Sequence, residues 1–212
     1  MTSGENLSIF QVDVLQEISN IGVGNAATAL SQMLNRRIEM NAPKAGFKPF
    51  GEIYKLVGPE EELVSCVNFT IRGEINSQIL FLLTKDSSFA LLDLLLERKD
   101  GVADKFDSLA QSALQETGNI LCGSFLNALS KVTGLTFKPS VPAFAFDMLG
   151  AVLSSAFVEG GCFGEQALII ETEFYQKEIS INGHFFLIPE PECLGIIFKS
   201  LGLDFDGGMQ YG

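Results

Sequence analysis

Asp13-Val-Leu-Gln-Glu17-Ile-Ser-Asn20 and Ser112-Ala-Leu-Gln-Glu116-Thr-Gly-Asn119 are two copies of one signature, 99 residues apart. Across residues 13–34 and 112–133, nine of 22 positions are identical, and Pro43 and Pro142 then fall at the same offset. A duplicated fold must keep apolar residues to fill two cores. It has no packing reason to keep a Glu and an Asn on an outward face. Glu17, Asn20, Glu116 and Asn119 are therefore the candidate site.

The rest of the chain follows the repeat. Val14, Leu15, Ile18, Ile21, Gly22, Leu30 and Met33 recur at helical spacing, with Ser8 a candidate N-cap and Asn35 a candidate stop. Extended residues 38–40 lead to Pro43. Strand-like runs follow at 53–57, 63–71 and 78–84, and Asp86 opens a second helix. The second half repeats the order: helix 106–132, extended 135–138, an apolar insertion at 144–157 read as helical, strands 167–174 and 178–187, and a helix from about 192 to 201. The strand-to-helix joint at Phe81 matches the one at Phe186, an offset larger by six, so the insertion lies between Pro142 and Phe186. Arg98 to Lys105 is a polar joint. The expected fold is α/β, of the α+β kind. Two α-β-β-β-α units share a mainly antiparallel central sheet about a pseudo-twofold axis, flanked by helices, with two long site helices exposed on one side. Residues 1–212 are expected to form one domain of two repeats, about 8–103 and 106–203, with 204–212 a flexible tail.

Composition excludes several classes. A net charge of −12 and a pI near 4.5 argue against nucleic acid and anionic membrane as partners. They suit a partner with a basic face. Cys66, Cys122, Cys162 and Cys193 form no CxxC and no ligand spacing, as expected of reduced thiols in a cytoplasmic protein. No signal peptide opens the sequence, and the most apolar stretch, 141–158, is too short and too polar to span a bilayer. A single histidine, His184, leaves no basis for a histidine metal site or a Ser-His triad, so no metal is assigned to the chain.

On a helix, Asp13, Glu17, Asn20, Gly24, Ala27 and Ser31 form one stripe, and Ser112, Glu116, Asn119, Gly123, Leu126 and Ser130 form the other. Both should face solvent. Glycine inside a helix costs about 1 kcal/mol against alanine, and both copies accept that cost one turn beyond the Asn. A missing side chain there lets a partner approach closely. An amide can orient a water, and a carboxylate can hold a partner's lysine. With no nucleophile, the reactive group must come from the partner, and positioning an attacking water speeds phosphoryl hydrolysis.

Both copies fit [Asp/Ser]-x3-Glu-x2-Asn-x22-Pro, as Asp13, Glu17, Asn20, Pro43 and as Ser112, Glu116, Asn119, Pro142. This pattern resembles the CheC/CheX/FliY family of chemotaxis phosphatases over nearly the whole chain. Two intact motifs at this length are most similar to its CheC branch. CheX has a single site, and the flagellar-switch domain of FliY is missing here. The resemblance implies removal of the aspartyl phosphate from a CheY-type response regulator. Asn20 and Asn119 would orient the water, and Glu17 and Glu116 would contact a regulator lysine. It implies no cofactor in this chain, with Mg²⁺ in the regulator, and binding of the deamidase CheD as a further partner.

Gly22-Val-Gly24-Asn-Ala-Ala27 also fits a nucleotide fingerprint, but a helical pattern precedes it where a strand is needed, and the second copy loses it. Asp147 is a candidate partner contact or an N-cap. The apolar side chains around it are core or a partly exposed docking surface. Two function classes stand: a phosphatase, and a non-catalytic adaptor that binds the regulator or CheD.

Overall fold

A computed structural model describes residues 9–41, 44–96, 106–160, 166–176, 179–190 and 193–202. The elements of the first half are α1 (Ile9–Leu34), β1 (Glu39–Met40), β2 (Lys44–Pro49), α2 (Phe50–Val57), β3 (Leu63–Gly73), β4 (Ser77–Thr84) and α3 (Lys85–Leu95). Those of the second are α4 (Ser108–Thr133), β5 (Phe137–Pro139), β6 (Ala143–Met148), α5 (Leu149–Gly160), β7 (Gln166–Gln176), β8 (Ile179–Pro189) and α6 (Cys193–Ser200). Each half thus runs α-β-β-α-β-β-α rather than α-β-β-β-α.

All described strand pairs are antiparallel, in the order β1-β7-β8-β4-β3-β5, with β2 also on β7 and β6 also on β3. β4 and β8 pair at the centre, Leu80 opposite Phe186. The short strands are exchanged between halves: β2 of the first runs along β7 of the second, and β6 of the second along β3 of the first. The two repeats therefore interlock about an axis normal to the sheet.

The sheet is covered on both faces. Along β4, Ile79, Phe81 and Leu83 face the layer of α1, α3 and α4, while Leu80 and Leu82 face α2 and α5. This double burial explains why β4 reads as a continuous apolar run. The first layer packs Leu15, Ile18 and Leu30 of α1 beside Leu114, Leu121 and Phe125 of α4. Where α1 and α4 meet, a Cβ on Gly22 would lie 2.5 Å from the Phe125 ring. Gly22 and Ala26 are small where their counterparts, Leu121 and Phe125, are large. One helix supplies the hollow and the other the filling, which is why Gly22 is not repeated.

Two expectations are corrected. Residues 53–57 are helical, in α2, because Ile53 and Val57 one turn apart are both buried against the sheet. Residues 144–157 divide. Phe144 packs towards α4 and Ala145 towards α5 on strand β6, and the helix starts only at Leu149. The insertion is mainly in α5, which has 12 residues where α2 has 8. Asn35 ends α1 with φ of 48°, as a stop residue should. Ser8, Pro43, the 98–105 joint and the 204–212 tail lie outside the described residues.

Candidate functional site

The start of α4 is anchored before the motif begins. Asp107 caps it, its Oδ1 accepting from the Ala110 amide at 2.7 Å. Phe106 packs tilted against Phe146 of β6, ring centres 3.9 Å apart. At the other end, Gly134 closes the helix in the left-handed conformation with φ of 73°. Inside, Gly118 lets the helix lie on Val67 of β3, since a Cβ there would come within 2.8 Å of that side chain. The motif face is left pointing outward.

Asp13, Glu17, Ser112, Glu116 and Asn119 are exposed, and Asn20 is half-buried. Among the described residues, neither Glu17 nor Glu116 has an ion-pair partner, and the Asn119 amide has no hydrogen-bond partner. Asn20 differs: its Oδ1 accepts from Gln16 Nε2 at 3.4 Å. The Ser112 hydroxyl turns back to the Ser108 carbonyl at 2.8 Å. A Cβ on Gly24 or on Gly123 would meet nothing within 4 Å, so no internal contact requires either glycine. Each leaves the surface low beside its Glu–Asn pair.

The expected stripe bends inward at its C-terminal end. Leu126 is only 4% exposed and belongs to the core. Ser31 Oγ accepts from the Ile38 amide at 3.0 Å, and Ser130 Oγ donates to the Leu135 carbonyl at 2.7 Å. These two serines tie each helix to the strand that follows. On α4 the face therefore ends at Gly123, whereas on α1 Ala27 continues it half-exposed.

Gln115 is a residue that sequence reasoning passed over, although it is identical in both copies as Gln16. Its Nε2 donates to the Pro142 carbonyl at 3.1 Å, so the motif proline is held beside the motif helix. Asp147 sits opposite Val64 on β3, on the α5 face of the sheet, away from Glu116 and Asn119. It is exposed, and its Oδ1 accepts from the Met148 amide at 2.7 Å, a turn at the start of α5.

The pseudo-twofold axis is normal to the sheet, so α1 and α4 run in opposite directions across it. With Gly22 against Phe125, the rise per residue puts Asn20 and Asn119 about 12 Å apart along the helices. Each pair thus presents one carboxylate and one amide about one turn apart, without a nucleophile of its own. Burial pushes the Cys66 and Cys122 thiols up to about 12, so neither supplies a thiolate near neutral pH. Among the described residues, no group of three His, Cys, Asp or Glu side chains could hold a metal, and no helix is long and apolar enough to cross a membrane.

Comparison with known proteins agrees with the duplicated motif. The profile of the CheC-like family matches residues 10–46 and 109–145, the two site helices with the segments that follow them. The chain is 32% identical to the CheY-P phosphatase CheC of Bacillus subtilis over 196 residues, 91% of this chain and 94% of the relative. It is 31% identical to the flagellar motor switch phosphatase FliY of the same organism over 139 residues, 65% of this chain and 36% of that protein. The fold matches the crystal structure of Thermotoga maritima FliY with a TM-score of 0.75 at 21% identity, covering 92% of this chain and 98% of that one. Extended similarity to CheC, with two family matches that each include one of the repeated Glu–Asn pairs, establishes that the chain belongs to the CheC-like family.

Proposed function

We propose that this chain hydrolyses the aspartyl phosphate of a CheY-type response regulator, at two sites. Asn20 and Asn119 each enter the regulator's phosphorylated site and orient the attacking water. Glu17 and Glu116 each hold a lysine of the regulator. The supporting observation is the outward Glu–Asn pair, duplicated on α1 and α4, beside a glycine with open space above it. The Bacillus subtilis relative carries the name of a phosphatase of this kind.

The chemistry suits the donor set. The acyl phosphate is itself reactive, so the chain need supply only positioning and a complementary charge. An amide offers both a donor and an acceptor to a single water, and this fixes its direction of attack. The Mg²⁺ belongs to the regulator and arrives with the substrate. The reduced thiols and acidic surface are compatible with work in the cytoplasm, where such regulators act.

Incubating the chain with phosphorylated regulator and following loss of acyl phosphate tests the proposal. Phosphate loss faster than the regulator's own hydrolysis, abolished in the Asn20→Ala/Asn119→Ala double variant, is the expected result. An unchanged rate of loss on adding the chain would overturn it.

An adaptor role is the second reading. Asp147 is exposed on β6, at the sheet edge and on the α5 face, the far side from the pairs. That edge would serve CheD binding, and capture of CheD by the chain but not by an Asp147→Lys variant is its test.

A further inference from the structure

At the start of each site helix a large apolar side chain stands in the open. Phe10 is 61% exposed and Leu109 is 57% exposed. They hold equivalent positions in the two copies. Each also lies on the motif face, because 109, 112, 116 and 119 succeed one another in steps of three and four. Scattered exposed apolar residues are ordinary on any protein. The same exposure at the same place in two copies is different, because packing explains it in neither.

The second site adds another. Val141 is 87% exposed. The next residue, Pro142, is tied through its carbonyl to Gln115 at 3.1 Å. Val141 is thereby held beside the helical turn that carries Glu116 and Asn119. The first half has Ala42 at this position.

We propose that Leu109 and Val141 form an apolar rim on which the phosphorylated regulator seats at the second site, and that Phe10 does the same at the first. This rests on the phosphatase reading above. The occupant follows from continuity and size. Leu109 precedes Asn119 by ten residues, about 15 Å along the helix, and Val141 is held beside the turn that carries Glu116 and Asn119. A standard interface covers about 800 Å² on each partner, a patch roughly 30 Å across. A regulator seated with its acyl phosphate at Asn119 therefore covers Val141 and reaches Leu109 at the margin of its footprint. The charged pair gives orientation that salt weakens, whereas the rim gives affinity that salt leaves alone. Val141 in place of Ala42 makes the second site the more apolar of the two.

The test uses the full chain carrying Asn20→Ala, so that only the second site turns over. Leu109→Ser and Val141→Ala are added singly and together, and steady-state kinetics are measured with phosphorylated regulator at low and high salt. The double variant should raise KM about tenfold with kcat within twofold, the pattern of lost uniform binding. The KM ratio of variant to parent should be the same at both salt concentrations. An unchanged KM, a loss of kcat alone, or a ratio that vanishes with salt overturns the proposal. So does a change in self-association by sedimentation with KM unchanged, which would make the patch a contact between copies of this chain. Phe10→Ser in an Asn119→Ala background repeats the test at the first site. A chain with both Asn residues intact that turns over no regulator defeats the phosphatase reading itself, whereas every rim result is read against an active parent.

Discussion

The side-chain amide of Gln115 and the main-chain carbonyl of Pro142 are joined by a hydrogen bond of 3.1 Å, which binds the helix of the second motif to the segment containing its proline. The proline carries no chemistry at this site. It lies one residue before β6, whose chain pairs with β3 from Leu63 to Asn68, and the bond fixes where that segment passes the Glu116–Asn119 turn. Replacing Gln115 by Leu should cost about 1 kcal/mol of stability, the usual net worth of such a bond. In an Asn20→Ala background it should also slow phosphate removal from the regulator, while activity from the Asn20 site should stay at its normal level in an Asn119→Ala background. Equal loss at both sites would show that Gln115 acts on the whole fold.

Asn20→Ala and Asn119→Ala should each leave residual phosphatase activity, in unequal amounts. The Asn119 amide is exposed without a partner among the described residues, whereas that of Asn20 is half-buried and shared with Gln16 at 3.4 Å. Under the proposed mechanism the second site would enter its partner without first breaking a contact, and Asn119→Ala should be the costlier change. The double variant should be inactive yet fold at least as stably, since alanine is the better helix former. Thermal melting and acyl-phosphate assays on the three variants check both statements.

Two glycines two residues apart should respond in opposite ways. Gly22→Ala drives a methyl into the Phe125 ring and should destabilise the chain by about 1–3 kcal/mol, as overpacking does. Gly24→Ala meets open space and should stabilise by up to about 1 kcal/mol. If the regulator lies on that glycine, the stabilised variant should nonetheless bind it more weakly. Chemical denaturation and regulator binding, measured on both, separate folding from docking.

Reversing the charge in Glu17→Lys together with Glu116→Lys should weaken regulator binding, and most at low salt. Exposed ion pairs are typically worth only about 0–1 kcal/mol, so neutral substitution would have a small effect. A like charge closed into an interface costs more. Affinity that stays unchanged across a salt titration would rule out a glutamate–lysine contact.

His184 predicts a loss of stability in mild acid. On β8 it stands between Glu171 and Leu82, beside the Phe186 ring, with Nδ1 lacking a hydrogen-bond partner among the described residues. Burial lowers its pKa from 6.5 to about 4. Between those values the unfolded chain binds a proton that the folded chain refuses, so stability falls as pH drops from about 6.5 towards 4. The loss should be on the order of 2 kcal/mol. His184→Gln should remove that part of the acid dependence, as read from urea midpoints at pH 7 and pH 5.

The motif helices were legible because their repetition separates function from packing: Leu15 and Leu114 recur inward, Glu17 and Glu116 outward. The exposure of Glu17, Glu116, Asn119 and Gly24 followed from helical period, whereas the half-burial of Asn20 and Gly123 did not. Ile53-Tyr-Lys-Leu-Val57 misled because β-branched and aromatic residues imitate a strand over so short a run. The apolar run after Pro142 misled because a two-sided strand followed by a buried helix has no single period. Comparing the two stretches would have resolved both, since Phe50 and Leu149 open α2 and α5 at the same 99-residue offset as the motifs. Leu126 was misplaced for a different reason. A stripe drawn on an isolated helix cannot show where that helix dips under its neighbours, and the serine tethers that end the exposed face are bonds to another segment.

The exchange of β2 and β6 between halves has a historical implication. A repeat whose edge strand completes its sibling's sheet is not a self-sufficient unit, because its own β3 or β7 is left open on one side. The single-repeat precursor that the duplication implies would have been complete only as a pair of identical chains trading those strands. Gene fusion made that association intramolecular, so it no longer depended on concentration. It also released each copy from having to match the other, so that Gly22 and Ala26 could stay small while their counterparts Leu121 and Phe125 became large.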